Sequence, residues 1–138
     1  MEIHIGQSEH EFISLDVIKR SYDSYDGNWL NVKVIVKAGG FTGVVENQLQ
    51  ANELASFQIE LAKLYKSLSG SAKFATLEGW LSFEVVGGGM GGLSCTGEVM
   101  DGFVDGNVLN FNLHIDQTFL PEILKSLKEI ENSYSIRK

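Results

Sequence analysis

Leu109-Asn110-Phe111-Asn112-Leu113-His114-Ile115-Asp116-Gln117-Thr118-Phe119-Leu120-Pro121-Glu122-Ile123-Leu124 changes period in its middle, and that change decides the fold class. Up to Ile115 the apolar residues alternate with Asn110, Asn112 and His114, which predicts a strand with one buried face. Beyond it, Leu120, Ile123, Leu124, Leu127, Ile130 and Tyr134 fall at three- and four-residue steps. They predict an amphipathic helix over about 118–134, starting near Thr118 because Pro121 is tolerated only in a first turn. Asp116, Gln117 or Thr118 can satisfy the free N–H groups at its start, so this string reads as a cap.

Working toward the N-terminus, Leu93–Val99, Leu81–Val85 and Ala72–Thr76 give three more strands, and Gly87-Gly88-Gly89-Met90-Gly91-Gly92 reads as a hairpin turn. A helix over about 52–69 precedes them, with Leu54, Phe57, Leu61, Leu64 and Leu68 on one stripe, Asn52 as N-cap and Gly70 as stop. Before it, Leu30, Val32, Val34 and Val36 form a strand that Gly39-Gly40 turns into a second one carrying Phe41, Val45 and Leu49. Ile13, Leu15 and Val17 mark an earlier strand, joined through Asp26-Gly27 to the one that Trp29 opens, and Ile3 and Ile5 a short leading one. The order of strands, helix, strands, helix predicts an α+β domain: antiparallel sheet of consecutive hairpins, covered on one side by two amphipathic helices. Two helices cannot supply the crossovers of a parallel sheet this size.

The 138 residues suit a single domain, 1–138, with 43% hydrophobic and 21% charged residues. The net charge of −7 disfavours direct nucleic-acid binding, which needs a basic face. No apolar run is long enough to cross a bilayer, and Met1-Glu2-Ile3-His4 lacks signal-peptide character, so the expected address is the cytoplasm. The charge is uneven: residues 72–116 hold six acids and one base, Lys73, and so carry −5 of the −7. Asp26-Gly27-Asn28-Trp29-Leu30-Asn31 matches Asp105-Gly106-Asn107-Val108-Leu109-Asn110 in five of six positions. Duplication and recurrent turn chemistry both account for it, but the helix follows after about 26 residues in one half and about 13 in the other. On that spacing the halves cannot be superposed without a missing hairpin.

Catalytic patterns are sparse. Gly87-x-Gly89-x-x-Gly92 is followed by a strand, not by the helix a pyrophosphate site needs. His4, His10 and His114 lie far apart, and Cys95 is a lone residue on an apolar strand face, so neither a metal nor another cofactor is expected. His114, or the pairs Asp23 with Asp26 and Asp101 with Asp105, would serve a carboxylate-dependent hydrolase, although aspartates at turns are more simply backbone acceptors. Trp29 shares a face with Asn31 and Lys33 and is either a binding anchor or cover for a sheet edge beside Ile35.

In its strings the chain resembles the WapI-type immunity proteins of bacterial toxin–immunity loci. The resemblance rests on Asn28-Trp29-Leu30-Asn31-Val32, Phe41-Thr42-Gly43, Leu64-Tyr65-Lys66-Ser67-Leu68-Ser69-Gly70, Gly106-Asn107-Val108-Leu109-Asn110-Phe111 and Asp116-Gln117-Thr118-Phe119-Leu120-Pro121. The chain departs from the family at Gly87–Gly92, where relatives carry an acidic turn, and at Tyr134-Ser135-Ile136, where they carry an aromatic-proline-valine tail. The resemblance implies a non-enzymatic protein that neutralises a cognate toxin domain, typically a nuclease and basic. On that reading Asp101 and Asp105 are the first candidates for toxin contact, then Glu84 and Glu98, with Trp29 as anchor. A general protein-interaction or small-ligand-binding module without a toxin partner is the alternative.

Overall fold

The structure, a computed structural model, describes residues 1–22, 27–102 and 104–137. Four strands run first: β1 (Glu2–Ser8), β2 (Glu11–Arg20), β3 (Trp29–Ala38) and β4 (Phe41–Gln50). Helix α1 (Ala51–Ser67) follows, then β5 (Ser69–Ala75), β6 (Leu81–Gly88), β7 (Gly92–Met100) and β8 (Val108–Asp116). A 3-10 turn over Gln117–Phe119 leads into α2 (Leu120–Ser133). The protein is α+β and built from consecutive antiparallel hairpins, as the periodicity predicts. The strands divide into two four-stranded sheets, β1-β2-β3-β4 and β5-β6-β7-β8, because α1 carries the chain away from β4 before β5 begins.

Each sheet therefore ends in a helix, and the four-strands-plus-helix order occurs twice. The repeated Asp-Gly-Asn string does not mark that repeat. It precedes β3, the third strand of the first half, but β8, the fourth strand of the second. Asp23 and Asp26, where the sequence predicts a turn, lie outside the described residues.

Alternation delivers one apolar face per sheet. Ile5, Ile13 and Val36 stand in register across the first sheet, and Val85, Cys95 and Leu113 across the second. The two faces close with Leu54, Phe57, Leu61 and Leu64 of α1 and Leu120, Ile123, Leu127 and Ile130 of α2 into one apolar cluster. At its centre Phe57 meets Phe83 and Phe74 edge-on at 5.3 and 5.9 Å, and those two rings stack at 5.1 Å. Such aromatic contacts add to the area they bury. Trp80, almost fully buried, joins the sheets: its Nε1 donates to the Gln48 carbonyl of β4 at 2.8 Å.

Helix ends differ by a residue or two from the sequence expectation. The N-cap of α1 is Gln50, not Asn52, because the Glu53 carboxylate accepts the Gln50 N–H at 2.5 Å and closes a capping box. The helix stops at Leu68, which takes the left-handed conformation (φ 58°), and Gly70 already lies in β5. Asp116 caps the 3-10 turn that leads into α2, its carboxylate accepting the Thr118 N–H at 3.3 Å, whereas α2 itself begins at Leu120 behind Phe119, an N-cap without a side-chain bond.

Candidate partner-binding surface

The two ends of the second sheet differ in charge. At one end lie the glycine turn between β6 and β7 and the start of the 3-10 turn, joined by Gln117 N–H to the Gly91 carbonyl at 2.9 Å. At the other, the connection from β5 to β6 and the one from β7 to β8 sit together, because Leu81 pairs with Val99 and the Met100 N–H donates to the Trp80 carbonyl at 2.8 Å. Glu78, Glu98, Asp101 and Asp105 all belong to this second end.

Asp101 is fixed by its own loop. Its carboxylate accepts the Asn107 N–H at 2.7 Å and the Asn107 Nδ2 at 3.1 Å, and its N–H donates to the Asn107 carbonyl at 3.1 Å. The Asn107 side-chain and backbone donors hold the Asp101 carboxyl below its ordinary value, so it keeps its charge in mild acid. The loop closes because Gly102 and Gly106 touch: a Cβ on Gly106 would stand 2.4 Å from the Gly102 oxygen. Asp105, exposed at this loop, takes a positive φ of 58°, a conformation Asp tolerates better than most side chains.

Glu98 stands on the outer face of the sheet, in register with Ser82 and Asn110. Glu84 is its diagonal neighbour, in register with Lys73 and Thr96. The Lys73 ammonium lies 3.6 Å from the Glu84 carboxylate, so among the described residues Glu84 is the one of the four acids whose charge is compensated locally. The structure thus gathers Glu98, Asp101 and Asp105 at one end and leaves Glu84 further up the sheet. Exposed Glu78 was not among the sequence candidates. It joins them only because the two connections meet in space, which no local pattern signals.

Trp29 does not belong to this group. It is half-buried at the start of β3 opposite Gln50, on the outer side of the first sheet. The turn end of that hairpin, Phe41–Val45, is the part that approaches Asp101 and Asn107. At strand rise this leaves Trp29 about 30 Å from the hairpin tip. The string around it has structural duties: the Asn28 carbonyl accepts the Ala51 N–H at 2.9 Å, and the Asn28 side chain exchanges two hydrogen bonds with the Arg137 backbone at 2.7 and 2.9 Å. Asn31 accepts the Gln48 amide at 2.8 Å.

His114, weighed for hydrolysis, and His4 and Cys95, weighed for metal and thiol chemistry, are placed by the structure as well. The exposed His114 ring lies 3.2 Å from Glu11, which also accepts the His114 N–H and so ties β8 to β2. His4 stacks on Phe12 with ring centres 4.9 Å apart, and its Nδ1 lies 3.6 Å from Glu2. Cys95 is buried, and burial pushes its thiol up to about 12. Among the described residues no group of three or more His, Cys, Asp or Glu side chains is arranged to hold a metal, and no helix is long and apolar enough to cross a membrane.

Comparison with known proteins adds a family and a fold. A crystal structure of MRP1/MRP2 from Trypanosoma bruciei superposes with a TM-score of 0.52 over 98% of this chain and 85% of that one. At 9% identity, this likeness speaks to the fold alone. No curated protein matches the sequence. The profile of the immunity protein WapI-like family matches residues 4–135, nearly the whole chain, and membership supports an immunity function. The chain belongs to the immunity protein WapI-like family.

Proposed function

We propose that this protein binds a basic toxin domain, a nuclease, and neutralises it by occlusion, with the acidic end of the second sheet lying where the toxin would hold nucleic-acid phosphates. The observation that carries the reading is the concentration of Glu78, Glu98, Asp101 and Asp105 at one end of a sheet whose one described cation, Lys73, is engaged with Glu84. Fixed carboxylates of this kind raise association rates with a basic partner and discriminate between partners more than they add affinity. Asp101 and Asp105 lead the contact, Glu98 follows, and Glu84 contributes less because Lys73 offsets it. Trp29 belongs to a separate surface on the first sheet. The protein works by binding, without a cofactor, in the cytoplasm where a nuclease finds its substrate.

The test is co-expression with the C-terminal toxin domain of the large secreted protein encoded beside this chain. Growth restored by this chain, and a complex recovered from the cells, are the expected results. Equal killing with and without it would overturn the immunity reading.

A further inference from the structure

We propose that two copies of this chain pair edge to edge through β4, joining their first sheets into one eight-stranded antiparallel sheet. Three of the four sheet edges are covered within the chain. On β5, the Lys73 N–H donates to Glu60 of α1 at 3.2 Å. On β8, the Asp116 N–H donates to Gln7 at 3.0 Å and the His114 N–H to Glu11. β1 lies against α2 and β8. β4 pairs with β3 alone, in a register without a bulge.

The direction of each β4 residue follows from its bonds. The Gln48 carbonyl meets Trp80, its N–H meets the Asn47 side chain at 2.7 Å, and the Gln50 N–H meets Glu53 at 2.5 Å. Gln48 and Gln50 therefore face away from β3, and by strand alternation so do Thr42, Val44 and Glu46. The N–H and C=O groups of Thr42, Val44 and Glu46 have no partner among the described residues. Natural edges are blunted by Pro, a bulge, cover or charge, and of these the stretch carries only the charge of Glu46, which a second copy can match. A groove of about 250 Å³, bounded by Val99, Asp101, Asn107 and Val108, runs beside it.

A second copy fits this edge by its own sequence. In the antiparallel register that sets Val44 against Val44 of the second copy, Thr42 stands opposite Glu46 in both directions, and every open group of the three residues finds a partner. Ile35 neighbours Val44 and Lys33 neighbours Glu46 within each sheet. The central row then reads Ile35, Val44, Val44, Ile35 across the junction, entirely aliphatic. On either side the row reads Lys37, Thr42, Glu46, Lys33, and the Lys37 ammonium, 3.1 Å from the Thr42 hydroxyl, reaches across Thr42 toward Glu46 of the second copy. The contact is isologous and closes on itself, as two-fold dimers require.

Sedimentation equilibrium from low micromolar to millimolar concentration should show a mass rising from 15.2 kDa to twice that value. Val44→Pro removes one edge donor that the monomer does not use, and should leave the circular dichroism unchanged and the chain monomeric. Lys37→Glu and Glu46→Lys should each raise the dimer dissociation constant about tenfold or more, since each creates two like-charge contacts across the junction, Glu46→Lys adding one with Lys33 inside each chain. Mixing these two variants should restore a heterodimer, because the reversed charges then face each other. Monomer at every concentration, a dimer that survives Val44→Pro, or a mixture no tighter than its parents would overturn the proposal. Loss of toxin binding by Val44→Pro in a chain that never dimerises would assign the edge to a toxin strand instead.

Discussion

Gly106 has no room for a side chain, since an added Cβ would press on three backbone atoms of Gly102 within 2.8 Å. Gly106→Ala must open the loop that holds Asp101, and should cost about 1–3 kcal/mol of stability, read from the urea midpoint. The Asp101 carboxyl is held low by Asn107, so its bonds favour the folded state above the ordinary aspartate range and are lost as pH falls through the lowered value. Wild type and Asp101→Asn should therefore differ in urea midpoint at neutral pH and converge in strong acid; a constant gap would contradict this. Cys95 sits at the opposite extreme. With its thiol pushed up to about 12 and no exposure, it should resist iodoacetamide in mildly alkaline solution until the protein unfolds. Fast alkylation of the native protein would show a looser core than the structure has.

At the scale of elements, Phe57 anchors α1 against Phe74 and Phe83, beside Leu54, Leu61 and Leu64 of the same buried stripe. Phe57→Ala should lower stability by about 3–5 kcal/mol, whereas exposed Ile59, on the same helix, should tolerate Ala with little loss. The contrast follows the stripe that periodicity reveals in sequence. Strand faces were legible for the same reason, since Leu109-Phe111-Leu113-Ile115 alternates cleanly and packs as it reads. Helix boundaries were less legible, because Gln50 becomes a cap only through Glu53, and Leu68 adopts a conformation that sequence rules reserve for Gly. The division into two sheets was hidden: alternation tells which face of a strand is buried, not which strand lies beside it across a helix. Trp80 illustrates the same limit, as its indole reaches a carbonyl 32 residues away in the other sheet. Of the candidate site, the acids were visible in composition, but their gathering with Glu78 and the separation of Trp29 depend on long-range register.

Over the whole molecule, both sheets and both helices contribute to one apolar cluster, although the four-strands-plus-helix order occurs twice. We propose that 1–138 is a single folding unit, and scanning calorimetry should show one transition with equal calorimetric and van't Hoff enthalpies. Two resolved transitions would mean that the halves are separable. The net charge of −7 likewise resolves into places: Asp116 caps the 3-10 turn before α2, Glu84 faces Lys73, and Glu78, Glu98, Asp101 and Asp105 crowd one end. That end is the surface assigned to the toxin. The decisive measurement is the association rate of the cognate toxin domain with wild type and with Asp101→Lys/Asp105→Lys, followed by stopped flow at low and high salt. The account predicts that the double reversal slows association about tenfold or more at low salt, and that the difference shrinks as salt screens the charges. An association rate unchanged by the reversal would contradict it.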